Sequence, residues 1–322
     1  MLKPVLKSFF SSRPVWHTAG AMLRPRGVYV LMYHRIDDSQ AGFHGLGKER
    51  FEAQLAWLNN NCTIIDPEQL DQYLNRPPRR RPAVLLTFDD GYRCVHSIVA
   101  PALRKFKVRG LVFLPTRIID EESLVWTDRL NWAFSQTSAA NICFSWDHEN
   151  EYQLETAAER SRALGRCKAH LKQLPDNERR AREQEVLESL DMLSKSAQLP
   201  RQMLNWNEAR DTTDAIIYGG HTHTHPILSS LDARHQEKEI AECQERISQE
   251  LGHASRFFAY PNGRKNDFNE DSRRLLKKFG FDTAFSTEEG VATIADDPLA
   301  IRRLPTTAAG IADFAWLITH RG

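Results

Sequence analysis

Apolar residues fall along this chain in short, nearly unbroken blocks, with polar helical stretches between them. The blocks are VYVLMY (28–33), AVLLTF (83–88), GLVFLP (110–115), AIIYG (215–219), RFFAY (256–260), DTAFS (282–286) and LAIRRL (299–304). They are rich in β-branched and aromatic residues and do not show the apolar/polar alternation of a strand with one wet face. Blocks of this kind predict strands buried on both sides, hence a parallel sheet covered by helices. The intervening segments agree. CVHSIVAPALRKF (94–106), HQEKEIAECQERISQEL (235–251) and NEDSRRLLKKFG (269–280) carry apolar residues at helical spacing, with Gly280 placed to end the third. An open sheet and a closed barrel share this pattern. The number of blocks and a length of 322 residues favour the α/β barrel.

One stretch breaks the rhythm. From residue 117 to about 208 no strand is predicted, and two charged helical segments stand out, ETAAERSRALGRCKAHLKQL and NERRAREQEVLESLDMLSKS. The stretch reads as a helical insertion after the third block, its charge runs as solvated helix faces. The expected organisation is a basic N-terminal segment, 1–26, and one barrel domain, 27–322, that carries the insertion.

Composition narrows the partners. With 41% hydrophobic and 26% charged residues the chain can bury a large core. A net charge of +1 argues against a nucleic-acid partner. The five cysteines are scattered and show no C-x-x-C pairing, which fits a reducing, cytoplasmic setting. The N-terminal segment lacks the apolar core of a signal peptide. Its lysines and arginines alternate with Leu2, Val5, Leu6, Phe9 and Phe10, a pattern suited either to a packed helix or to peripheral contact with an anionic inner-membrane surface.

The polar clusters that look chemical follow the apolar blocks directly. VLLTF runs into Asp89-Asp90-Gly91, IIYGG into His221-Thr222-His223-Thr224-His225, FFAY into Pro261-Asn262-Gly263, and VLMY into His34-Arg35. In parallel α/β architectures this end of the strands carries the active site, so four separate segments converge there. Neighbouring aspartates point in different directions, so one can hold a cation while the other faces water. His221 and His225, four apart, would share an ion if they sat on one helical turn, with His223 facing elsewhere. Two histidines and a carboxylate form an open divalent-metal site suited to Zn2+ and equally to non-haem iron.

TFDDG (87–91), HTHTH (221–225) and FAYPNG (258–263) resemble the three main motifs of the polysaccharide deacetylases, the NodB-homology or carbohydrate esterase 4 family. LMYHRI (31–36), HPILSSL after the histidines and FGFDTAFSTEEG (279–290) are similar to its bacterial polysaccharide-biosynthesis branch. The resemblance implies a distorted (β/α)7 barrel and hydrolysis of an acetamido group on a sugar. It implies Asp89 as general base and Asp90, His221 and His225 as metal ligands. It also places Tyr260 in the segment whose backbone N–H completes an oxyanion hole. The family's arginine, which holds the catalytic aspartate from the third motif, is missing, and Arg303 or Arg302 is the expected substitute. The late Leu-x-His motif has no clear counterpart, although Ile318-Thr319-His320 has its spacing, so His34 is the expected general acid or a substrate contact. Phe285 and Trp316 are candidate substitutes for the family's acetyl-pocket tryptophan.

The expected substrate is an N-acetylated sugar, glycan or lipid-linked glycan met in the cytoplasm during surface-polysaccharide or glycolipid assembly. O-deacetylation or deformylation on the same scaffold, and a binding protein without catalysis, remain as alternatives.

Overall fold

The computed structural model describes residues 25–37, 43, 45–121, 123–195, 201–306 and 310–320. Most of the basic N-terminal segment and the side chain of His320 therefore lie outside the described residues. In chain order the strands are β1 (Val28–Tyr33), β2 (Thr63–Ile64), β3 (Ala83–Phe88), β4 (Gly110–Leu114), β5 (Asn141–Phe144), β6 (Asp147–Gln153), β7 (Ile216–Gly220), β8 (Phe257–Ala259), β9 (Thr283–Glu289) and β10 (Ile301–Pro305). All seven apolar blocks are strands, and they close into a ring of parallel neighbours, β1-β10-β9-β8-β7-β4-β3 and back to β1. This is the (β/α)7 barrel. The two residues of β2 pair with Ala83 and Val84 at the start of β3, while β4 takes Thr87 and Phe88 at its end. One edge of β3 thus serves two strands, and the ring is irregular there.

Alternate residues of each strand go to different cores, which is why the blocks are apolar on both faces. Val30, Leu85, Leu111, Phe113, Phe257, Phe285 and Ile301 fill the barrel. Tyr29, Leu31, Val84, Leu86 and Val112 face outward beneath the helices. Those helices include α1 (Lys48–Asn61), α2 (Leu70–Asn75) and α3 (Ala100–Phe106). The helical pattern at 94–106 begins as a π-helical turn, Val95–Val99, because Pro101 has no N–H to continue the ladder backwards.

The insertion comprises α4 (Thr116–Asp120), α5 (Trp126–Gln136), the β5–β6 hairpin, α6 (Ala157–Leu171), α7 (Asp176–Ser189) and α8 (Trp206–Asp211). The hairpin corrects the expectation of a strandless insertion. β6 is polar apart from Tyr152 and exposed along most of its length, so it carries no apolar alternation to detect. The charge runs need correction too. Asp176, Arg179 and Glu183 are buried, with Arg179 bonded to Asp176 at 2.8 Å and to Glu183 at 2.9 Å. After β7 come α9 (Ala233–Leu251), capped by Asp232, and α10 (Glu270–Lys278), followed by Gly280 at φ +85°. α11 (Ile311–His320) packs against α1, Phe314 meeting Trp57 edge-on.

Candidate metal and catalytic site

The strand period places the first pair of candidate residues. Along β3, Leu85 and Thr87 face the barrel interior, so Asp89 does as well; along β10, Ile301 and Arg303 do the same. The two meet. Arg303 donates Nη1 to Asp89 Oδ1 at 2.7 Å and Nη2 to Oδ2 at 2.8 Å, a two-point fork with the whole guanidinium buried. Its Nε donates to Ser286 O at 2.8 Å, at the register shift between β9 and β10. Arg302 points outward and pairs with Asp296, so Arg303 is the residue that reaches Asp89. Burial alone would raise the Asp89 carboxyl; Arg303, aided by His34 and His221, brings it below its ordinary value. His34 is half-exposed, its Nε2 3.9 Å from Asp89 Oδ2. A cavity of about 360 Å³ opens there, lined by His34, Arg35, Leu46, Arg50 and Thr306 among others.

Asp90 turns away from its neighbour. It and Gly91 both adopt left-handed backbone, at φ 71° and 68°, which swings Asp90 towards the histidine loop. Asp90 Oδ1 lies 3.4 Å from His221 Nε2 and 3.2 Å from His225 Nε2. The three ligand atoms fall within 4.8 Å of one another, and all three residues are buried. His221 Nδ1 lies 2.6 Å from Ala259 O, which places a proton on Nδ1 and turns Nε2 towards Asp90. Burial holds the His225 imidazole below its usual value, against the pull of Asp90, and so favours the neutral ring. His225 Nδ1 is buried without a protein partner. Two imidazoles and a carboxylate whose ligand atoms converge fit a divalent metal.

The histidines do not share a helical turn. Residues 221–225 form a loop after β7 with Thr222 at φ 63° and His225 at φ 62°, and this irregular backbone brings the two rings together. Left-handed geometry at a β-branched residue is strained and needs support. Glu239 of α9 supplies it, accepting from His223 N at 3.0 Å, Thr224 N at 2.7 Å and Thr224 Oγ1 at 2.7 Å. His223 faces away, as expected, its Nδ1 2.9 Å from Thr116 Oγ1.

Tyr260 itself offers no free backbone N–H donor. Its N–H is committed to Phe285 O at 3.1 Å, because β8 and β9 continue their pairing by one residue past Ala259. Its side chain stacks on Phe268 and donates to Leu299 O, in a core outside the barrel. Phe285 packs on Phe113 in the barrel interior, and Trp316 sits on α11.

Three neighbours of the site went unanticipated: Tyr92, Asp128 and Glu239. Tyr92 directly follows the Asp-Asp-Gly turn and could have been suspected from that position. Asp128 and Glu239 lie within helices, where a carboxylate ordinarily reads as solvated.

The polysaccharide deacetylase family pattern matches residues 76–181 and 191–284, which include both the aspartate pair and the histidine loop. The chain belongs to the polysaccharide deacetylase family. The Bacillus subtilis (strain 168) protein YxkH is 20% identical over 283 residues, 87% of this chain and 72% of that one. Among solved structures, the Streptococcus pyogenes deacetylase PplD in complex with acetate superposes with a TM-score of 0.60 at 16% identity, covering 92% of this chain and all of that one. IcaB from Ammonifex degensii gives 0.59 at 19% identity, over 92% and 98% of the two chains. These structures share the deacetylase's NodB-type barrel. No helix of the described residues is long and apolar enough to cross a membrane.

Proposed function

We propose that this deacetylase is a metal-dependent hydrolase that removes the acetyl group from an N-acetylated sugar during assembly of a bacterial surface polysaccharide or glycolipid. The observation that carries the reading is the divergence of two adjacent buried carboxylates. Asp90 faces two imidazole nitrogens, while Asp89 is gripped by an arginine and faces the mouth beside His34. One is dressed as a ligand and the other as a base.

Asp90, His221 and His225 would hold the metal, which when bound polarises the acyl oxygen and activates water. The chain's own groups do the rest. Asp89, ionised because Arg303 stabilises its charge, accepts the proton of the attacking water. Arg303 keeps the carboxylate aimed, since the fork leaves it no freedom to rotate. His34 delivers a proton to the leaving amine, and its exposure lets it recharge from solvent. The cavity that His34 lines gives room for part of the sugar. Support for an acyl substrate comes from the family and from PplD, a deacetylase whose structure holds acetate.

Acetate release by zinc-reconstituted protein tests the proposal, on N-acetylhexosamine oligomers, nucleotide sugars and lipid-linked acceptors, with Asp89→Asn as control. Release that needs both metal and Asp89 is expected. Amine appearing with the acetate separates N- from O-deacetylation. Protein that takes up no metal would overturn the ligand assignment.

A further inference from the structure

The Asp90 carboxylate has two oxygens, and only Oδ1 faces the histidines. Oδ2 lies 3.1 Å from the hydroxyl of Tyr92, and that hydroxyl lies 2.8 Å from Asp128 Oδ2 on α5. Asp128 is in turn bonded by Asn131 Nδ2 at 3.2 Å, and Asn131 Oδ1 accepts from Lys168 Nζ of α6 at 2.6 Å. The chain Asp90–Tyr92–Asp128–Asn131–Lys168 therefore runs from the metal-facing carboxylate into the insertion. A second tie reaches the same turn by backbone. Arg93 N donates to Gln202 O at 2.8 Å and Leu204 N to Gly91 O at 2.9 Å, so the returning end of the insertion pairs with residues 91–93 like a short strand. Tyr92 is itself buried, its ring 5.7 Å from the Arg35 guanidinium.

We infer that Tyr92 and Asp128 are positioning residues for Asp90, and that through them the helical insertion sets how tightly the deacetylase holds its metal. The inference rests on the metal-site reading above. The physical reason is rotational. A carboxylate on left-handed backbone with one oxygen free can swivel about its last torsion, and each swivel removes Oδ1 from the histidine nitrogens. A hydroxyl held against Oδ2 restricts that freedom; its one proton is shared between Asp90 and Asp128, which anchors the hydroxyl from the insertion side. Partners that orient a metal ligand in this way are worth about 10–100-fold in affinity.

The test uses the full chain stripped of metal, with zinc affinity measured by competition against a chromophoric chelator. Tyr92→Phe keeps the ring and removes only the hydroxyl; Asp128→Asn keeps the shape and removes the charge. The expected result is zinc affinity weakened about 10–100-fold in Tyr92→Phe, in a metal-free protein that still folds and melts cooperatively. Asp128→Asn should weaken it in the same direction, and the double variant should be no weaker than Tyr92→Phe alone, since one chain carries both effects. The visible spectrum of the cobalt-loaded protein should shift in both single variants. A folded Tyr92→Phe that binds zinc within twofold of the parent overturns the inference while leaving the metal site standing. Should Tyr92→Phe not fold, Asp128→Asn decides on the same criterion. A parent that binds no zinc overturns the metal-site reading, and this inference with it.

Discussion

Arg303 and Asp89 are 214 residues apart in the chain and closed into a fork with both bonds at 2.7–2.8 Å, both side chains buried. A buried carboxylate stripped of its partner is left as an uncompensated charge. Arg303→Ala should therefore cost about 3–5 kcal/mol of stability, measured by urea unfolding. Arg303→Lys keeps the charge without the planar two-point geometry, so it should recover much of the stability and little of the turnover. Equal recovery of both would mean that the fork serves folding alone.

His34 is the group at the mouth closest in kind to an acid. Proton transfer by a positioned side chain typically contributes about 10²–10⁴-fold, so His34→Ala should lower kcat within that range. Metal content, measured on the same preparation, should stay at the parent level. Loss of the metal would instead make His34 a support or ligand of the metal centre.

Glu239 holds two backbone N–H groups and a hydroxyl of the strained histidine loop. Glu239→Ala leaves those donors without their partner, a loss of about 1–3 kcal/mol, and should weaken zinc binding because His225 follows them by one residue. Glu239→Gln retains one carbonyl oxygen and should fall between parent and alanine variant. Unfolding curves and zinc titrations that match the parent in both variants would remove Glu239 from the site's support.

Where the insertion returns to the barrel, Glu208 of α8 is latched by Arg201 at 2.6 and 2.7 Å. Burial opposes its charge, but Arg201, the Asn205 N–H and Arg93 prevail and hold the carboxyl at about 2. The folded value lies below the unfolded value of about 4.3. The latch therefore stabilises fully above about pH 4.3 and fades as pH falls towards 2. Glu208→Gln should be less stable than the parent at pH 6, and the gap should close by pH 2. A gap that does not change with pH would mean that shape, not charge, holds the latch.

The barrel could be read from sequence because burial on both faces leaves each strand nearly free of polar interruptions. The aspartate pair and the histidines could be found because strand ends place them without any need for loop detail. What escaped depends on contacts that no local pattern encodes. β6 is a polar ribbon whose pairing with β5 replaces an apolar signal. His221 and His225 converge through left-handed backbone at Thr222 and His225, not through a helical repeat. The segment around Tyr260 is expected to offer an oxyanion-hole N–H, but the N–H of Tyr260 itself is taken up by the β8–β9 pairing. Arg303 was within reach of sequence reasoning because its strand alternation points it inward and Arg302 outward.

The closure of the ring also has an order in time. β1 pairs with β3 along its full length on one side, but its other side is met by β10, with Leu31 opposite Leu304. On the ribosome the barrel must therefore stay unsealed until its final strand emerges, and Asp89 waits for its counter-charge over the same interval. Long-range closure of this kind slows folding and exposes unpaired strand edges meanwhile. Nascent chains halted before Ile301 should be held by chaperones or degraded, and a complete chain released into dilute buffer should gain its last protected amides in β1 and β10 together.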